Sequence, residues 1–262
     1  MKTSISNIAW DIEQDNSVYA LMEKYGYQGL EIAPSRIIPD SPYDNLEYIT
    51  KWKKDLNRKR KLLISSMQSI WYGRQEQLFG SLSERQILLD YTKKAVDFAK
   101  ACGCKNLVFG CPKNRVLPKG KDSGLAVSFF KEIGDYAAAL GTVIGMEANP
   151  SLYHTNYMNY TMEVLDLIEQ TGSAGFLLNL DVGTMLYNKE SVDALKGRIH
   201  CISHVHISEP GLKLIQPQKI HRELYEILSK EQYQGYISIE MGKTNGMDEL
   251  ERTLKYVKEV FK

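Results

Sequence analysis

Four residues with metal-binding side chains each end a short apolar run in the second half of the sequence. They are Glu147, Asp181, His206 and Glu240. The intervals between them are 34, 25 and 34 residues, which leaves room for one strand and one helix each. The apolar runs have the composition of short buried strands. If these strands are parallel and belong to one barrel, the four side chains meet at the same rim.

Three carboxylates and one imidazole form an oxygen-rich ligand set that suits a divalent cation. We expect one metal ion, Mn²⁺ in the first place, while Mg²⁺, Co²⁺ and Zn²⁺ are compatible with the same side chains. The residues therefore indicate a divalent-metal site at one rim of the barrel.

Strand-like and helix-like segments alternate along the whole chain. Strands are predicted at residues 3–8, 29–33, 62–68 and 106–110, followed by four that end at Glu147, Asp181, His206 and Glu240. Helices are predicted at residues 16–25, 46–60, 123–140, 161–171, 191–197, 221–231 and 249–261, with another long helix from Ser83. Such alternation is typical of a parallel sheet. Eight pairs in 262 residues predict an α/β fold, with residues 1–262 forming a single (β/α)8 TIM barrel domain.

The composition argues against several classes of partner. Lys and Arg number 33 and Asp and Glu 32, so no strong charge attracts a nucleic acid or an anionic membrane. No apolar stretch is long enough to span a bilayer, and the first residues lack the apolar segment of a secretion signal. The four cysteines lack the spacing of a zinc knuckle or a dithiol motif. We therefore expect a cytoplasmic protein with a small-molecule partner.

The segments around the four residues resemble motifs of the xylose-isomerase-like TIM barrels. They read GMEANP at 145–150, NLDVG at 179–183, HVHISEP at 204–210 and ISIE at 237–240. This superfamily includes sugar and sugar phosphate isomerases, ketose 3-epimerases, inosose dehydratase and endonuclease IV. The resemblance implies a carbohydrate substrate and one divalent ion on the four positions. It also implies that Glu147 and Glu240 are the acid/base pair on opposite faces of the sugar. In that role they would remove and return a proton on the carbon next to a carbonyl group, while the metal ion stabilises the enediolate.

Three positions depart from the motifs of the ketose 3-epimerases. Thr184 stands where those enzymes usually have a histidine, Leu212 where they have an arginine, and Tyr153 where they have a glutamate. The metal ligands are thus retained, while the residues that hold the substrate differ. We expect a sugar other than a free ketohexose, or a sugar that is held differently.

Further residues near the predicted rim are candidates for substrate binding. They are Asn149, Glu209, Gln68, His204, Trp71, Lys113 and Arg115. His204 points to the same side of its strand as His206, because side chains repeat every two residues. Lys113 and Arg115 could hold a phosphate or a carboxylate. Core packing, a turn or a solvated loop explains each of these residues about equally well.

Other functions remain open on the same scaffold. An inosose-dehydratase-like lyase would remove the same proton and then expel a hydroxyl group. A non-catalytic barrel that binds a sugar is a further alternative, to which the three departures point. An endonuclease IV-like trinuclear zinc site is not expected, because it needs more histidines than the five in this sequence. A homodimer is the expected assembly by analogy with the superfamily.

Overall fold

The strands of the protein form one closed parallel barrel. A computed structural model describes residues 1–262. The strands are β1 (Lys2–Ser6), β2 (Gly29–Ile32), β3 (Leu63–Met67), β4 (Asn106–Phe109), β5 (Val143–Glu147), β6 (Phe176–Asp181), β7 (Ile202–Ile207) and β8 (Tyr236–Ile239). They follow one another around the barrel in chain order, and β1 pairs with β8 to close it. The predicted (β/α)8 barrel is confirmed.

Helices lie between the strands along the chain. They are α1 (Asp15–Lys24), α2 (Pro34–Ile37), α3 (Leu46–Arg60), α4 (Leu82–Cys102), α5 (Gly124–Ala139), α6 (Thr161–Thr171), α7 (Val182–Asn188), α8 (Lys219–Lys230) and α9 (Met247–Val260). The predicted bounds of α3 and α6 agree with the structure, and most others differ by one or two residues. No helix has both the length and the apolar character needed to cross a membrane.

The long helix α4 shows how local sequence sets an element. Ser81 precedes the helix, and its hydroxyl accepts a hydrogen bond from the backbone N–H of Glu84. The carboxylate of Glu84 accepts in return from the backbone N–H of Ser81 at 2.8 Å. This reciprocal cap satisfies backbone donors that a helix start leaves free. At the other end, Gly103 ends the helix in the left-handed conformation, with φ of +73°.

The helix predicted at residues 191–197 is wrong, because no α-helix lies in that range. The α-helix of this unit is α7, which begins directly after Asp181, and only a short 3₁₀ turn at Val192–Leu195 lies in the predicted range. The side chain of Asp181 accepts from the backbone N–H of Thr184 and caps α7. An aspartate is a favoured helix cap. The prediction missed α7 because it assigned Asp181 to the metal site in preference to a helix cap.

A buried histidine on α8 makes the stability of the barrel depend on pH. His221 has no exposed surface, its Nδ1 lies 2.9 Å from the hydroxyl of Tyr256, and burial lowers its pKa to about 4. In the unfolded chain the imidazole titrates near pH ~6.5. Between these values the unfolded state binds the extra proton, so the free energy of unfolding falls as the pH decreases through this window.

We expect the variant His221→Asn to remove this dependence. Between pH 7.5 and 4 the wild-type protein should lose about 3 kcal/mol more stability than the variant, because only the wild type has the depressed histidine pKa. Urea unfolding at a series of pH values measures the difference. Parallel stability profiles for the two proteins would contradict the prediction.

Candidate metal centre and active site

The barrel brings the four predicted ligands together at the rim formed by the carboxyl ends of its strands. Glu147 and Asp181 end β5 and β6, His206 is near the end of β7, and Glu240 follows β8. One donor atom from each side chain lies within 4.8 Å of all the others. Nδ1 of His206 is 2.9 Å from Oε2 of Glu147 and 3.2 Å from Oε2 of Glu240. The chain thus converges on a single cluster from four neighbouring strands.

The electrostatics of this cluster fit a divalent cation. Burial raises the pKa of Glu240 to about 7, and repulsion from Glu147 adds to the shift while His206 opposes it. Burial and the charge of Glu147 likewise raise the pKa of Asp181 to about 6. Asp181 and Glu240 are therefore buried and crowded enough to disfavour their own ionisation. A cation among these oxygens would remove that penalty, so the donor set suits a hard divalent ion.

Glu31, on β2, fixes the ring of His206 from behind. Its Oε2 lies 2.9 Å from Nε2 of His206 and 3.0 Å from Nε2 of His204, and its Oε1 accepts from Gln68 at 3.0 Å. Burial acts against ionisation of Glu31, but the two imidazoles hold its pKa well below the usual range. Because Nε2 of His206 is engaged with this carboxylate, Nδ1 is the nitrogen that faces the other three candidate ligands. A carboxylate behind a histidine ligand orients it and increases its basicity.

The contact with Glu31 has a measurable consequence for metal affinity. We expect Glu31→Gln to weaken Mn²⁺ binding by about 10- to 100-fold, because the amide lacks the charge that supports His206. Titration calorimetry with Mn²⁺ measures this effect without any substrate. Glu209→Gln is the matched control, since Glu209 lies near the same rim but outside the cluster. Equal affinities of Glu31→Gln and the wild type would show that Glu31 does not support the metal centre.

Glu147 is held in position on both of its carboxylate oxygens. Asn149 donates to Oε1 at 2.8 Å, and Asn179 donates to Oε2 at 2.9 Å. Behind Asn149 lies Arg115, whose guanidinium donates to Oδ1 of Asn149 at 2.8 Å and to the carbonyl of Glu147 at 2.9 Å. Arg115 has no exposed surface, and burial lowers its pKa to about 10. The guanidinium of Arg115 therefore holds Asn149 and the backbone of Glu147 in place, and it is not free to bind a substrate phosphate or carboxylate.

A cavity of about 180 Å³ opens onto the cluster. It is lined by Glu147, Asp181, Glu240, Gln68, Ser69, Val108, Gly110, Cys111, Pro112, Asn149, Tyr153, Ser208 and Leu212. No lysine or arginine is among these residues. The cavity thus combines the carboxylates of the cluster with hydroxyl and amide groups, which are the groups that bind neutral polyols.

The three departures from the epimerase motifs have different positions. Tyr153 and Leu212 line the cavity, and the hydroxyl of Tyr153 accepts from the backbone N–H of Gly211 at 3.0 Å. Thr184 is buried, and its hydroxyl donates to the carbonyl of Ala148 at 2.8 Å. Two of the three positions can therefore contact a substrate, and the third supports the backbone next to Glu147.

The remaining predicted substrate-binding residues divide between the cavity and its surroundings. Gln68 and Asn149 line the cavity, whereas buried His204 lies against Glu31. Trp71 is in the core, where its indole N–H donates to Thr92 at 2.8 Å and its ring packs against Phe109.

Two charged candidates lie outside the cavity on the surrounding loops. Lys113 is exposed on a 3₁₀ turn after β4. Glu209 accepts from the backbone N–H of Gln216 and from the side chain of Gln218, so it braces the loop after β7. Neither residue is among those that line the cavity.

Ser208 is a site residue that the sequence did not single out. Its hydroxyl donates to Oδ2 of Asp181 and accepts from the backbone N–H of Gly183 at 2.8 Å. It also lines the cavity. Its only signal in the sequence is its place in HVHISEP, two residues after His206.

Comparison with known protein families identifies the family to which this chain belongs. The chain matches the family of xylose isomerase-like TIM barrels over residues 19–260 and belongs to it. The resemblance noted in the sequence is thereby confirmed. A search of curated proteins found no match.

Several solved structures share the fold across the whole chain. The 3-keto-D-glucoside 4-epimerase from E. coli is 17% identical with a TM-score of 0.79, over 99% of each chain. The D-psicose 3-epimerase from Clostridium cellulolyticum H10 is 17% identical with a TM-score of 0.77, over 100% of each chain. An AP endonuclease, family 2, from Brucella melitensis is 17% identical with a TM-score of 0.71, over 98% of each chain.

Proposed function

We propose that the protein is a metal-dependent epimerase or isomerase of an unphosphorylated sugar. The observation that carries the proposal is the placement of two glutamates. Glu147 and Glu240 contact the same nitrogen of His206, and both line one cavity. Two carboxylates beside a candidate metal centre are the groups needed to remove and return a proton on carbon. The names of two structural neighbours, a 3-keto-D-glucoside 4-epimerase and a D-psicose 3-epimerase, agree with this reaction class.

The roles follow from the surroundings of each residue. When bound, the divalent ion, for which we propose Mn²⁺, supplies charge stabilisation to the substrate oxygens next to the reacting carbon. Glu147, Asp181, His206 and Glu240 would hold it. One glutamate accepts the proton from the carbon on a carboxylate oxygen, and the other donates a proton to the carbon. Asn149 and Asn179 keep the carboxylate of Glu147 aligned. The geometry favours proton transfer because the base is already oriented.

The cavity lining contains no Lys or Arg side chain, which supports an unphosphorylated substrate. Phosphate groups are recognised by Arg and Lys side chains or by helix N-termini. The cavity offers three carboxylates and no Lys or Arg, and Arg115 is committed to Asn149. A neutral sugar meets no repulsion there. The homodimer and the cytoplasmic location stay predictions.

Hydrogen exchange at carbon tests the proposal. The Mn²⁺-loaded protein is incubated in D₂O with ketoses, aldoses and inososes, and NMR and mass spectra are recorded together. We expect deuterium on carbon with no other change in the mass of the sugar, since epimerisation and isomerisation lose no atoms. Loss of water from the product would identify the lyase alternative. Sugar binding without any exchange would favour a non-catalytic barrel and refute the proposed reaction.

A further inference from the structure

A second cavity lies at the same rim, next to the active-site cavity. We infer that it binds a second sugar unit, so that the substrate is a glycosylated sugar; this inference rests on the proposed function. The second cavity, here called the rim pocket, has a volume of about 310 Å³. Its walls come from the segment after β2 (Ser35, Pro39 and residues 41–44), from the segment after β3 (Ser69 and residues 72–74), and from Tyr91 and Lys94 of α4. In barrels of this kind, substrates bind at the face where strands run into the following loops.

Ser69 connects the two cavities, because it lines both of them. It follows Gln68, which lines the active-site cavity, and precedes Tyr72 and Arg74, which line the rim pocket. Its φ of +56° is unusual for a residue other than glycine, and this turn directs the chain from one cavity to the other. Ser69 is thus a wall that the two cavities share, and the inferred ligand would pass over it from the metal centre to the rim pocket.

The lining of the rim pocket suits the hydroxyl groups and C–H faces of a sugar. Serine hydroxyls at 35, 41 and 69 and three tyrosine rings surround it. Tyr43 already donates to the carbonyl of Ile70 at 2.9 Å, and its ring packs edge-on against Tyr91. Tyr72 differs, because it is 73% exposed. An exposed aromatic ring beside hydroxyl donors offers both an apolar face and polar contacts.

The charges in the rim pocket favour a neutral ligand over an anionic one. Arg74 donates to both carboxylate oxygens of Glu76, at 2.6 and 2.9 Å. Lys94 pairs with Asp44 at 2.8 Å. Each cation at the pocket thus has its own carboxylate, which reduces the positive charge that the pocket offers to a phosphate. Neutral hydroxyl groups can bind to the outer edges of these pairs without breaking them.

Calorimetric binding to the Mn²⁺-loaded protein tests the inference. The probes are D-fructose and four glucosyl fructoses that differ in linkage, namely turanose, maltulose, leucrose and isomaltulose. We expect at least one disaccharide to bind about tenfold more tightly than fructose, because it fills both cavities. Tyr72→Ala should abolish that advantage and leave the affinity for fructose unchanged. Tyr48→Ala removes an exposed tyrosine of α3 that lines neither cavity, and should have no effect.

The outcomes separate this inference from the proposed function. Equal affinity for fructose and all four disaccharides, no binding of any probe, or an advantage that survives Tyr72→Ala would each overturn the rim pocket as a sugar site. Tight disaccharide binding without deuterium exchange would support the rim pocket while refuting the epimerase or isomerase. If deuterium exchange is as fast with free fructose as with every disaccharide, the epimerase or isomerase would be supported and the rim pocket as a sugar site refuted.

Discussion

Replacement of Glu147 or Glu240 by glutamine should reduce the rate of deuterium exchange into the sugar by about 100- to 10,000-fold, which is the rate enhancement that a general acid or base contributes. Glu147→Gln and Glu240→Gln keep the size of the side chain and an oxygen that can bind a metal. Both lose the group that accepts the proton. If the two residues act in one sequence of proton removal and return, the double variant should be scarcely slower than the slower single variant.

Metal loss is the main alternative cause of such a decrease, because both residues are also candidate ligands. The exchange rate is therefore measured at Mn²⁺ concentrations that saturate each variant, with occupancy determined by calorimetry. Glu209→Gln serves as a control, since its carboxylate braces a nearby loop and does not line the cavity. Wild-type exchange rates in metal-saturated Glu240→Gln would show that Glu240 is only a ligand.

The barrel and the core of the site could be predicted because their signals are local in the sequence. Apolar runs and helical periods repeat in the same order along the chain, and each of the four ligands ends or closely follows a strand. Parallel strands in one barrel must bring such residues to the same rim. The bounds of α3 and α6 were also predicted correctly from the sequence. The position of a side chain at a strand end was therefore enough to predict this cluster.

The supporting residues could not be predicted, because their roles depend on contacts between distant segments. Glu31 meets His206 across 175 positions of the sequence, and nothing near Glu31 in the sequence marks that contact. Arg115 appeared to be a basic loop residue, yet the loop turns inward and buries its guanidinium. Trp71 appeared to be a rim aromatic, but it packs in the core against Phe109. Loop conformation decided the cases of Arg115 and Trp71, and it leaves little trace in composition. Glu31 lies on β2, and its contact with His206 on β7 depends on how two distant strands face each other inside the barrel.

The cavity lining explains why the sequence predicts a metal site more readily than it predicts the substrate. Ligand chemistry is narrow, so three carboxylates and an imidazole indicate a candidate cation site from residue type. Tyr153 and Leu212 line the cavity in place of a glutamate and an arginine, and either could pack against many sugars. Their uncharged side chains give little discrimination, so we propose that the sugar unit inferred to bind in the rim pocket determines specificity.

Arg115→Met should lower the exchange rate by about 10- to 100-fold, because a small displacement of a reacting group costs that much. The guanidinium engages Oδ1 of Asn149 and thereby leaves the amide nitrogen facing Oε1 of Glu147. Without it the amide can rotate, and Glu147 loses an aligning hydrogen bond. The expected cost in stability is about 1–3 kcal/mol, because two buried oxygens lose their donor. Release of the buried charge offsets part of this cost.

A double-variant cycle distinguishes this positioning role from a general loss of structure. Asn149→Ala should reduce exchange to a similar extent as Arg115→Met, and the combined variant should be no slower than either, since all three break one chain of contacts. Arg115→Lys keeps a charged donor and should recover part of the rate. Mn²⁺ affinity should change less than in Glu31→Gln, because Asn149 binds the oxygen of Glu147 that faces away from His206. Additive losses for Arg115→Met and Asn149→Ala would mean that Arg115 acts on the fold alone, and Glu147 would then be positioned by Asn179 and the strand end.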